Sequence, residues 1–177
     1  MRARFVFVRG QGPDAIQAVG DALPADEREV YEAGYLETRW YPYELFESLN
    51  ATIDRVLGNG DGELGYEMGR FSCDANLTTV MRLFFKFGNI GWLLDRAAKA
   101  WRTQFDEGEM KVVERDVGNR VVVELHDHSH PNRLHCLAVK GWMMRATEIS
   151  GEETLECEEQ CRALGDDVCR WTFLWPK

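Results

Sequence analysis

Three cysteines and one glutamate in the last third of the chain have a spacing with chemical meaning. Cys161 and Cys169 stand eight residues apart around Gly165-Asp166-Asp167, a turn that brings two strand-borne thiols to one point. Glu158 lies three residues before Cys161, and Cys136 lies 22 residues before Glu158. Three thiolates and a carboxylate make a closed tetrahedral zinc site, structural in kind because no position is left for a reactive water. Buried thiols in an ordinary core account for the same spacing, since cysteine is among the most buried residue types. Local charge favours a cation: between Ser150 and Arg170 seven carboxylates face two arginines, an imbalance a divalent ion would partly neutralise. No catalytic set emerges.

All four histidines, His126, His128, His130 and His135, fall within ten residues. A continued strand would put the first three on one face, where they could hold a metal. Pro131-Asn132 marks a turn, however, and the stretch reads as an exposed, pH-sensitive loop. Gly60-Asp61-Gly62-Glu63-Leu64-Gly65 has the glycine spacing of a dinucleotide loop. It follows a helix instead of a strand, and Asp61 and Glu63 would repel phosphate, so it reads as a turn between helices.

The elements that must position these residues are legible from periodicity. Residues 4–8 alternate weakly and suggest a short strand. Helices are expected from Pro13-Asp14 to about Leu23, from Pro42 to Gly58 (Leu45, Leu49, Ile53 and Leu57 recur every four residues), over about 63–75 and over 133–149. An apolar stripe runs from Val80 to Phe105, bent at Gly88 and Gly91, where glycine weakens a helix by about 1 kcal/mol. Valine-rich segments 109–115 and 120–126 read as a hairpin, as do 153–159 and 168–175. In the last strand Cys169, Trp171, Phe173 and Trp175 share a face. This order predicts class α+β, an antiparallel sheet of two hairpins packed against helices.

The chain has 177 residues, 30 acidic against 21 basic, with net charge −9 and five cysteines. The length suits a single domain over 1–177, mainly helical over 1–107. The acidic surplus argues against nucleic acid and against an anionic membrane surface. Phe5–Val8 is shorter than the roughly 7–15 apolar residues of a signal core, and no stretch approaches the ~20 of a membrane span. A cytoplasmic protein is expected, in which cysteines serve as thiols or metal ligands rather than disulfides.

The run Gly141-Trp-Met-Met-Arg-Ala-Thr-Glu-Ile-Ser-Gly151, followed by Glu158-x-x-Cys161-x-x-x-Gly165-x-x-x-Cys169-x-Trp171-x-Phe173, resembles the vinyl-4-reductase domain, most strongly over about 108–175. That domain is the sensor of phenol- and xylene-responsive transcription activators and is related in fold to TRAPP vesicle-tethering subunits and haem–NO-binding sensors. The resemblance implies a zinc held by Cys136, Glu158, Cys161 and Cys169, making 108–177 the zinc-binding part. Cys157, beside Glu158, is a competitor that would give an all-cysteine site. Upstream, Trp40-Tyr-Pro-Tyr43, Gly88-Asn-Ile-Gly-Trp92 and Lys99-Ala-Trp101 are similar to a myxobacterial paralogous family of uncharacterised proteins. The aromatic sensors hold their ligand through a His and a Trp upstream of the zinc cysteines, and no histidine here precedes position 126.

The resemblance thus implies a sensing or interaction domain in which zinc supports an apolar pocket for an aromatic or other apolar small molecule. Homodimerisation and an unidentified output partner are expected with it. Candidate pocket walls are Phe84, Phe87, Trp92, Trp101 and Trp142, residues that at helical spacing also read as plain core. Two other functions are open: reduction of a tetrapyrrole vinyl group, and haem-based gas sensing, for which the His126–His135 cluster would need to place an axial ligand on a buried face.

Overall fold

The computed structural model describes residues 1–36, 38–77, 90–115, 119–151 and 156–175. Five helices open the chain: α1 (Arg2–Gly10), α2 (Pro13–Ala22), α3 (Ala25–Ala33), α4 (Tyr43–Leu57) and α5 (Leu64–Asn76). Then come α6 (Ile90–Ala100), strands β1 (Glu109–Glu114) and β2 (Arg120–His126), α7 (Arg133–Ser150), and strands β3 (Glu156–Gln160) and β4 (Cys169–Leu174). The four strands form one antiparallel sheet in the order β1-β2-β4-β3. The two expected hairpins are present, and they join through their inner strands β2 and β4. None of the described helices is long and apolar enough to cross a membrane.

Among the described residues two large apolar cores, with a smaller cluster at Cys73, Leu77 and Ala146, organise the packing. In the first, Val121, Val123 and Leu125 of β2 and Cys169, Trp171 and Phe173 of β4 meet Leu94, Ala98, Trp101, Cys136 and Met143 from the helical side. The alternation that makes Cys169, Trp171 and Phe173 one face is therefore the face turned inward. In the second, Phe7, Val8, Val19, Tyr31, Leu49, Ile53 and Met68 gather α1 to α5. Leu49 and Ile53 are fully buried, with Leu45 and Leu57 packed at the margin, as the four-residue spacing requires.

Two expectations are corrected. Residues 4–8 are helical, within α1, because Arg4, Phe7 and Val8 recur at the three- and four-residue steps of a buried helix face. A run of four apolar residues is too short for periodicity to separate helix from strand. Helix α3 was not anticipated: it buries only Tyr31, so it has no apolar stripe to read. It is tied down instead by Arg28, whose Nε donates to the Gly20 carbonyl at 2.8 Å and Nη2 to that of Asp21 at 2.6 Å. The 60–65 glycines form the expected interhelical turn. Gly60 and Gly62 have φ of +72° and +87°, and the buried Asp54 carboxylate accepts from the Gly62 N–H at 2.8 Å.

Helices α5 and α7 lie against each other at backbone distance. Gly69 faces the Ala138 carbonyl and Gly141 faces that of Tyr66. Across the same seam, Glu148 accepts from Arg70 Nη2 at 2.8 Å and from Arg145 Nη1 at 3.0 Å. The Arg70 hydrogen bond, with Arg145 beside it, holds the Glu148 carboxyl below its ordinary value. A depressed folded value means stabilisation that is complete above the unfolded carboxylate pKa near 4.5 and lost as pH falls through the folded one. Glu148→Gln is expected to cost about 1 kcal/mol at pH 7, discounted for partial exposure. In urea unfolding the difference from the parent should shrink as pH falls below the ordinary carboxylate range and vanish once the folded carboxyl is protonated.

Candidate metal centre and its surroundings

Three chain segments deliver the thiols. Cys136 sits in the first turn of α7, whose start is fixed by Asn132 Oδ1 accepting from the His135 N–H at 3.1 Å. Cys161 follows β3, and its own N–H donates to Asp166 Oδ2 at 2.7 Å, which folds the 161–168 loop back on itself. Cys169 opens β4, opposite Leu125 of β2.

All three sulfurs lie within 4.8 Å of one another, and no residue of the three is more than 5% exposed. Cys136 and Cys169 are 3.6 Å apart, Sγ to Sγ. Accepting the hydrogen bond from Cys136, with Arg162 nearby, pulls the Cys169 thiol down to about 6; donating that bond, and burial, push Cys136 up. A divalent cation bound there would displace the thiol protons. The residues fit zinc in type and proximity.

The structure separates this group from the other two proposed ligands. In β3, Cys157 and Glu159 are the half-buried positions, while Glu156, Glu158 and Gln160 are exposed. Glu158 pairs with Thr172, on the side of the sheet away from Trp171 and Phe173. Glu159, not Glu158, has the inward carboxylate, and it is held by Arg133, with Lys140 at 3.8 Å. Cys157 packs against the sheet core, and burial pushes its thiol up to about 12. Among the described residues only Cys136, Cys161 and Cys169 form the close group.

The histidines depart from expectation. His128 and His135 are each only 6% exposed, so the 126–135 segment is not simply a solvated loop. Inward positions on β2 are Val121, Val123 and Leu125, so strict alternation would turn His126 and His128 outward. Asp127 has φ of +51°, a left-handed conformation that breaks the alternation and carries His128 inside. Tyr43 joins the two rings: its hydroxyl lies 2.6 Å from His135 Nδ1 and 3.3 Å from His128 Nε2. Around them Trp101 stacks on Phe105 at 4.3 Å and on His135 at 5.5 Å. Burial pulls the His135 imidazole down to about 3 and lowers His128 as well. Tyr43 belongs to the Trp40–Tyr43 motif, yet nothing in the sequence links it to histidines some 90 residues away.

A cavity of about 10 Å³ touches Leu125, His128, His135, Cys136, Cys169 and Trp171, room for about one water. Of the candidate pocket walls, Trp101 is core, with Nε1 donating to the Glu107 carbonyl at 2.9 Å. Trp142 packs between two apolar clusters. Trp92 is 37% exposed, with the Arg96 guanidinium 5.1 Å from its ring centroid. Phe84 and Phe87 lie outside the described residues.

No family model matches the chain, and no curated protein matches it. Among solved structures it is similar to an H-NOX mutant from K. algicida, with TM-score 0.72 and 10% identity over 99% of this chain and 94% of that one. An H-NOX protein from S. oneidensis gives TM-score 0.69 and 14% identity over 100% and 97%. An oxygen-binding H-NOX domain related to soluble guanylate cyclases gives 0.64 and 11% over 99% and 92%. The chain therefore has the fold of these H-NOX structures, an α+β architecture with a four-stranded antiparallel sheet.

The H-NOX family of these neighbours carries a heme. A haem held through histidine needs a buried imidazole and space for a macrocycle. His128 and His135 meet the first requirement. The second is not met among the described residues, where Tyr43, Phe46, Trp101 and Phe105 fill the surroundings of both rings. These residues do not fit a haem.

Proposed function

We propose that this chain is a small-molecule-sensing domain of the vinyl-4-reductase type, built on the H-NOX fold and stapled by a structural zinc on Cys136, Cys161 and Cys169. The observation that carries it is the group of three buried sulfurs drawn from α7, the 161–168 loop and β4. A metal there would supply no reaction. It would lock the start of α7 to the β3–β4 hairpin, so that strain at the apolar core between them is transmitted instead of dissipated. The homodimer and the output partner implied by the resemblance belong to the same proposal.

Elemental analysis of the purified protein should give about one zinc per chain, and native mass spectrometry should show the metal with any co-purifying apolar ligand and the dimer. Protein that neither retains nor takes up zinc would overturn the reading. A second reading, haem-based gas sensing, is favoured by the likeness to H-NOX structures and opposed by the aromatic packing around His128 and His135. A Soret band on reconstitution with haemin, abolished in His128→Ala or His135→Ala, would put that reading first.

A further inference from the structure

Three thiols leave a tetrahedral zinc one ligand short, and the residues expected to complete it are turned elsewhere. Glu158 is exposed on the outer side of β3 and Cys157 packs into the core of the sheet. A different side chain lines the cavity that Cys136 and Cys169 also touch, with an unused donor atom. His128 is 94% buried by its 6% exposure, and its Nδ1 is buried without a hydrogen-bond partner. It lines the same small cavity as Cys136 and Cys169. A buried imidazole nitrogen with no partner is costly and calls for an explanation, and an ion is one that also answers the missing ligand.

The neighbouring hydrogen bonds fix which nitrogen is available. The Tyr43 hydroxyl has one proton. Its shorter contact, 2.6 Å, is to His135 Nδ1, which we take as the acceptor of that proton. Tyr43 oxygen is then the acceptor for His128 Nε2–H at 3.3 Å. That assignment puts the proton of His128 on Nε2 and leaves a bare lone pair on Nδ1. Ligating histidines usually donate their second ring N–H to an oxygen in this way, which sets both tautomer and ring orientation. The backbone is held as well: Arg162, the residue after Cys161, donates from Nη1 to the His128 carbonyl at 2.7 Å. The His128 segment is thus clasped to the loop that carries one of the thiols.

We infer that His128 Nδ1 is the fourth ligand of a Cys3His zinc site, with Tyr43 as its orienting partner and Glu158 and Cys157 outside the metal. This rests on the zinc reading above. His128 stands outside the 4.8 Å group of sulfurs, so binding draws the 127–132 turn toward Cys136 and Cys169 and closes the cavity between them.

The test is zinc-edge X-ray absorption on the full chain, joined to chelator competition on variants. The expected spectrum has three sulfurs and one nitrogen, with the outer-shell scattering of an imidazole. His128→Gln should weaken zinc at least tenfold and remove that scattering, while Glu158→Gln and Cys157→Ser leave affinity and spectrum unchanged. Tyr43→Phe should weaken zinc by a smaller factor and keep the imidazole signal. A spectrum of four sulfurs, or of three sulfurs and an oxygen without imidazole scattering, would overturn the assignment to His128 while leaving the zinc staple standing. Failure of the wild-type chain to bind zinc would overturn both. The wild-type spectrum alone decides the ligand set if His128→Gln does not fold.

Discussion

Replacing Cys169 with serine is expected to reduce bound zinc from about one per chain to near none. Stability should fall by about 4 kcal/mol, the scale of change seen when a structural metal is lost. For a chain of this size that is a drop of roughly 8–16 °C in melting temperature. Cys169 lies 3.6 Å from Cys136, sulfur to sulfur, and it opens the strand that pairs with both β2 and β3. Without it, Cys136 and Cys161 remain as two buried thiols that cannot close a tetrahedral shell. Cys161→Ser should behave alike, whereas Cys73→Ser, in a separate apolar cluster, should retain its zinc. Differential scanning calorimetry with and without chelator separates the metal contribution from packing, because chelated wild type should melt close to the serine variant. A Cys169→Ser protein that keeps its zinc and melts with the parent would remove the staple from the account.

Gly69→Ala is the second large effect, and its sign runs against helix propensity. In an open helix the change would gain about 1 kcal/mol. Here the added methyl would lie 2.0 Å from the Ala138 carbonyl oxygen and 2.7 Å from its carbon, both backbone atoms that cannot rotate aside. Helices α5 and α7 would have to part, an overpacking cost put at about 3 kcal/mol net. Gly141→Ala meets the Tyr66 carbonyl oxygen at 2.0 Å and should cost about as much. Because parting the helices once relieves both contacts, the double variant should lose clearly less than the sum of the two. Cys136 stands two residues before Ala138 on α7, so the displaced helix should also bind zinc more weakly. Thermal melts and chelator competition on the three variants check both points; a Gly69→Ala protein as stable as its parent would mean that the seam is not as close as described.

The fold was legible where a long apolar face had a clear period. Leu49 and Ile53 on α4, and Cys169, Trp171 and Phe173 on β4, announce both their element type and their buried side. Helix α3 was not legible, since one buried tyrosine makes no pattern, and α1 was misread because alternation over a few residues fits either period. Of the site, the three thiols were readable from spacing together with a family resemblance. Glu158 was the matching carboxylate by that spacing, but a strand's alternation turns 157 and 159 inward and 158 outward. His128 was read as part of an exposed loop because Pro131-Asn132 marks a turn, whereas a left-handed residue, Asp127, carries its ring inside.

What the sequence determined by itself is the class α+β, the two hairpins and three cysteines at metal-like spacing, all of which depend on local periodicity and on residue type. Which side chains actually meet was decided only in three dimensions. Tyr43 reaches His128 and His135 across some 90 residues, and α5 and α7 approach until glycine alone fits between their backbones. Such contacts arise from the packing of distant segments against one another, and close packing is a property of the assembled interior, which no window of sequence contains.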